Sequence, residues 1–291
     1  DAWESVPPKE AIALIRKAGN KRVVVSSAND DGNQKLYAEA PDLILPSLRP
    51  YRSRSDVSTW VRDDNITRYM EERLKKYRYV AVGEFHLYGA DADLPVVRAT
   101  VAMARERKLF LHLHGDADAV ARVFAQDPQA RILWAHSGFD RPEKVREMLR
   151  KHANLFCDLA FLTSHASNGK VAPGWREAFL EFPDRFVVGT DSFTPERLHY
   201  IAEHARWSRQ WLADLPREAL DAIPEATEMV KNKITVADTW TEDGAKKEFA
   251  EDDPLSENVG DVDVKGAQTE TEEAVDDSIF EDAPDDLSPS A

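Results

Sequence analysis

The sequence predicts an α/β fold: a (β/α)8-type barrel whose first strand is missing or altered, followed by an acidic disordered tail. Three observations carry this prediction. Seven apolar runs alternate with eight helical segments. The runs are continuous, as strands of a parallel sheet are when helices cover both faces. Ionisable residues stand at the far ends of several runs, where a barrel gathers its chemistry.

The elements follow in order. Residues 7–19, "PPKEAIALIRKAG", have helical periodicity, proline at the start and glycine at the end. The β-branched run "KRVVVSSA" at 21–28 predicts a strand. A short helix "DGNQKLYAEA" and a strand "DLILPSL" at 42–48 come next. Residues 64–77 form an amphipathic helix with an asparagine cap, and 79–87, "YVAVGEFHL", a strand. Helix 92–108 runs into strand 109–114, "LFLHLH". Three further pairs repeat the unit: helix 116–127 with strand 131–138, helix 141–152 with strand 154–161, and helix 173–182 with strand 185–192. One long helix, 194–215, closes the series. A doubly wound sheet accepts this count. A closed barrel asks for one more strand, and the unmatched helix is the first, so the strand belongs before Asp1.

The strand ends are polar. Glu84 ends "VGE" with His86 two residues on; His114, His136 and Asp191 end later strands, and Arg49, in "SLRPY", ends the strand that begins at 42. Two imidazoles and two carboxylates suit a borderline divalent ion bound through nitrogen and oxygen. Alone, each has an ordinary explanation: His136 as hydrogen-bonded structure, Glu84 as an ion-pair partner, Asp191 as a helix cap. Together, in a barrel, they form one set. Ser26 and Ser27 read equally as a helix cap or as part of a site.

Charge and composition limit the partners. Residues 242–291 hold 18 acidic and 3 basic residues, so the net charge of −15 resides there and residues 1–241 balance at 35 of each sign. That segment has few aromatics and no hydrophobic period, which predicts disorder. Its like charge argues against nucleic acid. No apolar stretch is long enough to span a membrane, so a small molecule is the expected partner, with homo-oligomers allowed. The single cysteine, Cys157, excludes an intrachain disulfide and reads as a buried thiol. The start at Asp1, without methionine, points to a processed or trimmed chain. Cytoplasm and export after processing both stay open.

The stretches "VGEFHL", "LFLHLHGDADA", "ILWAHSGF" and "FVVGTDSFTPER" resemble the metal-dependent amidohydrolase superfamily, in the amidohydrolase-related branch that includes lactone hydrolases and zinc decarboxylases. The resemblance covers residues 1 to about 223, with a connector at 224–241 before the tail. It implies Glu84, His114 and His136 as ligands of a divalent metal, zinc first and manganese second, and Asp191 as ligand and general base. Of the "HLH" pair, His114 matches the ligand, while His112 points to the same side one layer deeper. Arg49, His86 and His165 are candidate substrate contacts.

One departure is large. The family carries a His-x-His pair at the end of its first strand, and "DAWESVPP" has none. Either "DAW" takes that place or the pair lies upstream of Asp1; the helix count favours the second. Both options predict weakened metal binding. The expected function is hydrolysis of a C–O or C–N bond (lactone, ester or amide) in a small organic acid. The alternatives are a non-catalytic scaffold and a metal-dependent decarboxylase.

Overall fold

Seven strands pair in the order of the sequence, and every pairing is parallel. This computed structural model describes residues 5–162, 164–216 and 219. The segment "DAW", residues 220–223, the connector and the acidic tail lie outside the described residues.

The chain runs α1 (Pro8–Lys17), β1 (Val23–Ser26), α2 (Asp30–Glu39), β2 (Ile44–Leu48), α3 (Asn65–Lys76), β3 (Ala81–Leu87), α4 (Pro95–Glu106) and β4 (Phe110–Gly115). It continues through α5 (Ala117–Gln126), β5 (Ile132–Trp134), α6 (Pro142–Lys151), β6 (Leu155–Asp158), a hairpin of β7 (Ala166–Ser167) and β8 (Lys170–Val171), α7 (Pro173–Glu181), β9 (Phe186–Val187), α8 (Pro195–His199) and α9 (Ile201–Leu212). Among the described residues, the edges of β1 and β9 have no further strand between them. The arrangement is a (β/α)8-type barrel drawn with seven strands.

Alternation along each strand sorts the side chains into two environments. Outward residues such as Leu111 and Leu113 of β4 join the buried faces of the helices; α5 contributes Ala119, Val120, Val123 and Phe124. Inward residues form layers. The floor is apolar: Leu45, Ala81, Phe110, Leu133, Phe156 and Val187, one from each of six strands, pack as a separate cluster. Phe110 and Phe156 meet at 5.8 Å between ring centroids. Two residues further along the same strands the inward positions turn polar, with Ser47, His112 and Asp158.

Several boundaries differ from the sequence reading. The strand expected over 131–138 stops at Trp134, because His136, Ser137, Gly138 and Phe139 all adopt positive φ and wind into a left-handed turn. Gly138 is required there: a Cβ would lie 2.2 Å from Trp134 Cζ2. The strand at 185–192 shortens to Phe186–Val187. The long helix 194–215 is two helices broken at Tyr200. Capping also moves. Asn29, not Ser26 or Ser27, caps α2, and Asp63 rather than an asparagine accepts the N–H of Asn65 at the start of α3. The β7–β8 hairpin was not expected, although its Asn168-Gly169 turn, with φ of 49° and 71°, is a strong hairpin signal.

Candidate metal centre

The polar layer above the apolar floor is assembled by three local devices. The first is a bulge in β3. Gly83 pairs with His112 and Phe85 with Leu113, so Glu84 is the extra residue. Such a bulge re-aims a side chain, and here it sends Glu84 inward beside the β4 histidines. Glycine is needed before it: φ at Gly83 is +128°, and a Cβ would lie 2.1 Å from the His112 carbonyl oxygen.

The second device is the alternation of β4, which places Phe110, His112 and His114 on one face at rising height. His114 Nδ1 lies 2.8 Å from Glu84 Oε1. His112, one layer lower, lies with Nε2 3.1 Å from Asp158 Oδ2. The third device is the left-handed turn after β5, which swings the buried His136 across the top of the barrel. Asp158 Oδ1 accepts the backbone N–H of His136 at 2.9 Å. The imidazole Nδ1 donates to the Ala160 carbonyl at 2.9 Å, leaving Nε2 to face the centre.

The structure brings Glu84, His114 and His136 together, with one donor atom from each inside 4.8 Å of the others. His136 Nε2 lies 3.4 Å from Glu84 Oε1 and 3.9 Å from Asp191 Oδ2. Asp191 does not cap the helix that follows, because Thr194 does so by accepting the Arg197 N–H. Instead Asp191 sits at a φ of 44°, with Arg197 donating to its backbone carbonyl. Two imidazoles and a carboxylate are a donor set that a divalent cation fits, and the hydrogen bond to Ala160 fixes the tautomer as outer partners of metal sites do.

The electrostatics agree with a site that needs a cation. Burial opposes a charge on His136, yet the Asp158 and Glu84 carboxylates outweigh it and push its pKa up to about 11. Glu84 is held well below the usual carboxylate range, its burial overcome by His114 and His136. Burial, then the nearby Glu84 charge, pushes Asp191 up. Asp158 is lowered to about 2 because His112 and His136 outweigh its burial.

The remaining candidates divide. Arg49 lines the cavity of about 500 Å³ that holds Glu84, His136 and Asp191, and its Nε donates to the Glu84 carbonyl at 2.6 Å. His86 packs against His114 at 4.2 Å between centroids, the rings tilted by 30°. The Tyr51 hydroxyl accepts the His86 backbone N–H at 2.8 Å and lies 3.2 Å from its Nδ1; burial, then His114, lowers the imidazole to about 4. His165 is placed elsewhere. It is 1% exposed, packed edge-on against Trp207 and Trp211, and does not line the cavity. A buried imidazole in a tryptophan pocket has no route to a substrate in that cavity.

Sequence reasoning missed Asp158 and Tyr51. The signal for Asp158 was present: an acid two residues beyond inward Phe156, in an otherwise apolar run, occupies the same inward face. Tyr51 follows its strand by three residues and carries no such mark.

The amidohydrolase family profile matches residues 35–234. No curated protein matches the chain. Among solved structures, a 4-oxalomesaconate hydratase from Rhodopseudomonas palustris is similar at 14% identity and a TM-score of 0.52, over 78% of this chain and 83% of that one. A zinc-bound amidohydrolase from Burkholderia multivorans has the same identity and TM-score, over 78% of this chain and 87% of that one. An uncharacterised TIM-barrel protein from Bordetella bronchiseptica follows at 15% identity and a TM-score of 0.50, over 74% and 78%. These structures share the fold, and the family match decides the class: the chain belongs to the amidohydrolase family and is a metal-dependent enzyme of that hydrolase type.

Proposed function

We propose that this protein hydrolyses a C–O or C–N bond in a small carboxylic acid, using a zinc ion held by Glu84, His114 and His136. The observation that carries the reading is the convergence of those three side chains, with Asp191 3.9 Å from His136 and Arg49 lining the same cavity. When bound there, the cation supplies Lewis acidity that polarises a carbonyl group and acidifies water.

The chain's own residues do the rest. Asp191 takes the proton as a water oxygen bonds to the substrate carbonyl carbon, then returns it to the oxygen or nitrogen that leaves as the old bond breaks. Its helix-capping duty is met by Thr194, so its carboxylate is available for that transfer. Arg49, anchored by Nε to the Glu84 backbone, pairs with the substrate carboxylate and orients the bond to be cleaved. His86, packed against His114, holds that ligand's ring in place. The apolar floor packs beneath the reacting group.

The test is direct. Protein loaded with excess zinc should take up close to one equivalent, held weakly as the missing His-x-His pair predicts, and Glu84→Gln or His136→Ala should remove most of it. Against a panel of lactones, esters and amides of small acids, Asp191→Asn should keep the metal and lose activity by about 10²–10⁴-fold. Metal content unaffected by either ligand substitution would overturn the assignment.

A further inference from the structure

The loop between β2 and α3 clamps one residue at the end of β3. Tyr51 accepts the backbone N–H of His86 at 2.8 Å, and Trp60 Nε1 donates to the His86 carbonyl at 2.8 Å. These two contacts suffice to close the loop onto the strand. A third goes further, because the Tyr51 oxygen also lies 3.2 Å from Nδ1 of the His86 ring. On its other side the Arg49 guanidinium lies over the Tyr51 ring, 4.8 Å from the centroid.

The phenol proton decides how that third contact is made. Tyr51 is wholly buried, so its hydroxyl proton needs an acceptor within the protein. The His86 amide and the Arg49 guanidinium can only donate. Among the described residues, His86 Nδ1 is the one acceptor that the Tyr51 hydroxyl meets. A proton on Nδ1 would leave the phenol proton buried without a partner, which disfavours that arrangement on the order of tenfold or more. With Nδ1 accepting, the ring carries its proton on Nε2. Nε2 makes no hydrogen bond among the described residues. The residue is partly exposed, and its ring packs against the ligand His114 at 4.2 Å between centroids.

Resting on the metal centre as read above, we propose that Tyr51 is a positioning residue that locks His86 with its proton on Nε2. His86 then stands beside the metal as a fixed hydrogen-bond donor for a substrate oxygen that only accepts, such as a carbonyl or carboxylate oxygen. Arg49, the other donor resting on Tyr51, is oriented by the same buried ring.

Long-range nitrogen–proton NMR spectra of the chelator-treated full chain, labelled in histidine, read the tautomer with no metal or substrate present. His86→Gln identifies the signals. The wild type should show Nε2 protonated, Nδ1 bare and a slowly exchanging Tyr51 hydroxyl proton correlated with Nδ1. Tyr51→Phe keeps the ring under Arg49 and removes only the hydroxyl; it should lower the ratio of the two tautomers about tenfold. Acetate titrated into zinc-loaded protein should shift the Nε2–H resonance in the wild type. In Tyr51→Phe the shift should be several-fold smaller, with zinc content the same. A proton on Nδ1 in the wild type, or a tautomer ratio that Tyr51→Phe leaves unchanged, overturns the lock. An Nε2–H resonance indifferent to acetate overturns the donor role. Where Tyr51→Phe does not fold, the wild-type tautomer and the hydroxyl correlation still decide. Failure of the wild type to take up zinc would count against the metal centre, whereas the tautomer, read without metal, tests Tyr51.

Discussion

Asp158 grips His136 twice: its Oδ1 accepts the His136 backbone N–H at 2.9 Å and lies 3.6 Å from the ring Nδ1. The same carboxylate meets His112 through Oδ2 and takes the Ala160 N–H at 2.9 Å. One buried acid therefore holds the turn that presents a metal ligand. Asp158→Asn should weaken zinc binding about 10–100-fold without removing a ligand, the usual cost of losing an outer partner. Competition with a chelating dye measures it; unchanged affinity would show that the turn holds itself.

Metal binding should release protons. In the metal-free site His136 has its pKa pushed up to about 11, so at neutral pH it carries a proton that must leave before Nε2 can bind a cation. Affinity should thus rise with pH, by up to about tenfold per unit for one proton released. Titrations in buffers of different ionisation enthalpy should give a release near one proton at pH 7. A release of zero would contradict the charged His136.

Asp158 also predicts the acid limb of stability. Its folded pKa, about 2, lies below the ordinary value of 3.8, so its contribution is present above pH 4 and is lost as pH falls towards 2. The shift corresponds to roughly 2 kcal/mol. Urea melts of chelator-treated protein should show that loss over this window, and Asp158→Asn should flatten it.

Beyond the centre, Asp30 is buried at the start of α2 and accepts from Arg73 Nε at 2.8 Å and from the Tyr79 hydroxyl at 2.5 Å. Arg73→Met would leave a buried carboxylate without its cation, at a cost of about 3–5 kcal/mol. For a chain of this size the melting temperature should fall by roughly 6–20 °C. A fall of only a degree or two would show that the tyrosine and the neighbouring amides suffice.

Cys157 is fully buried in β6, and burial pushes its thiol up, so little thiolate forms at neutral pH. Ellman's reagent should titrate no thiol in the native protein and one after unfolding. Rapid reaction in the native state would mean that β6 opens.

The legible parts of the sequence were those governed by period. The inward histidines of β4 and the alternation of helix and strand follow from spacings of two and 3.6 residues. That period is enough to place His114 above Phe110. What it does not encode is the turn at His136–Phe139, where positive φ at four successive residues is set by Trp134 packing beneath Gly138 and by the remote Asp158. The Tyr51 contact with His86 bridges 35 positions and has no local signature. The break at Tyr200 leaves no proline or glycine to announce it, and α8 and α9 read as one helix until Leu198 and Ile201 are seen packing on α1 and its neighbours.

The division inside the barrel between Phe110 and His112 has a practical side. Folding strength and reactivity occupy different storeys of the same strands, so damage to one need not reach the other. A chain silenced at Asp191 should keep its floor, its shape and its grip on the substrate. It would be a trap: an enzyme arrested with its own unknown substrate inside, ready to be lifted from a metabolite extract and identified by mass.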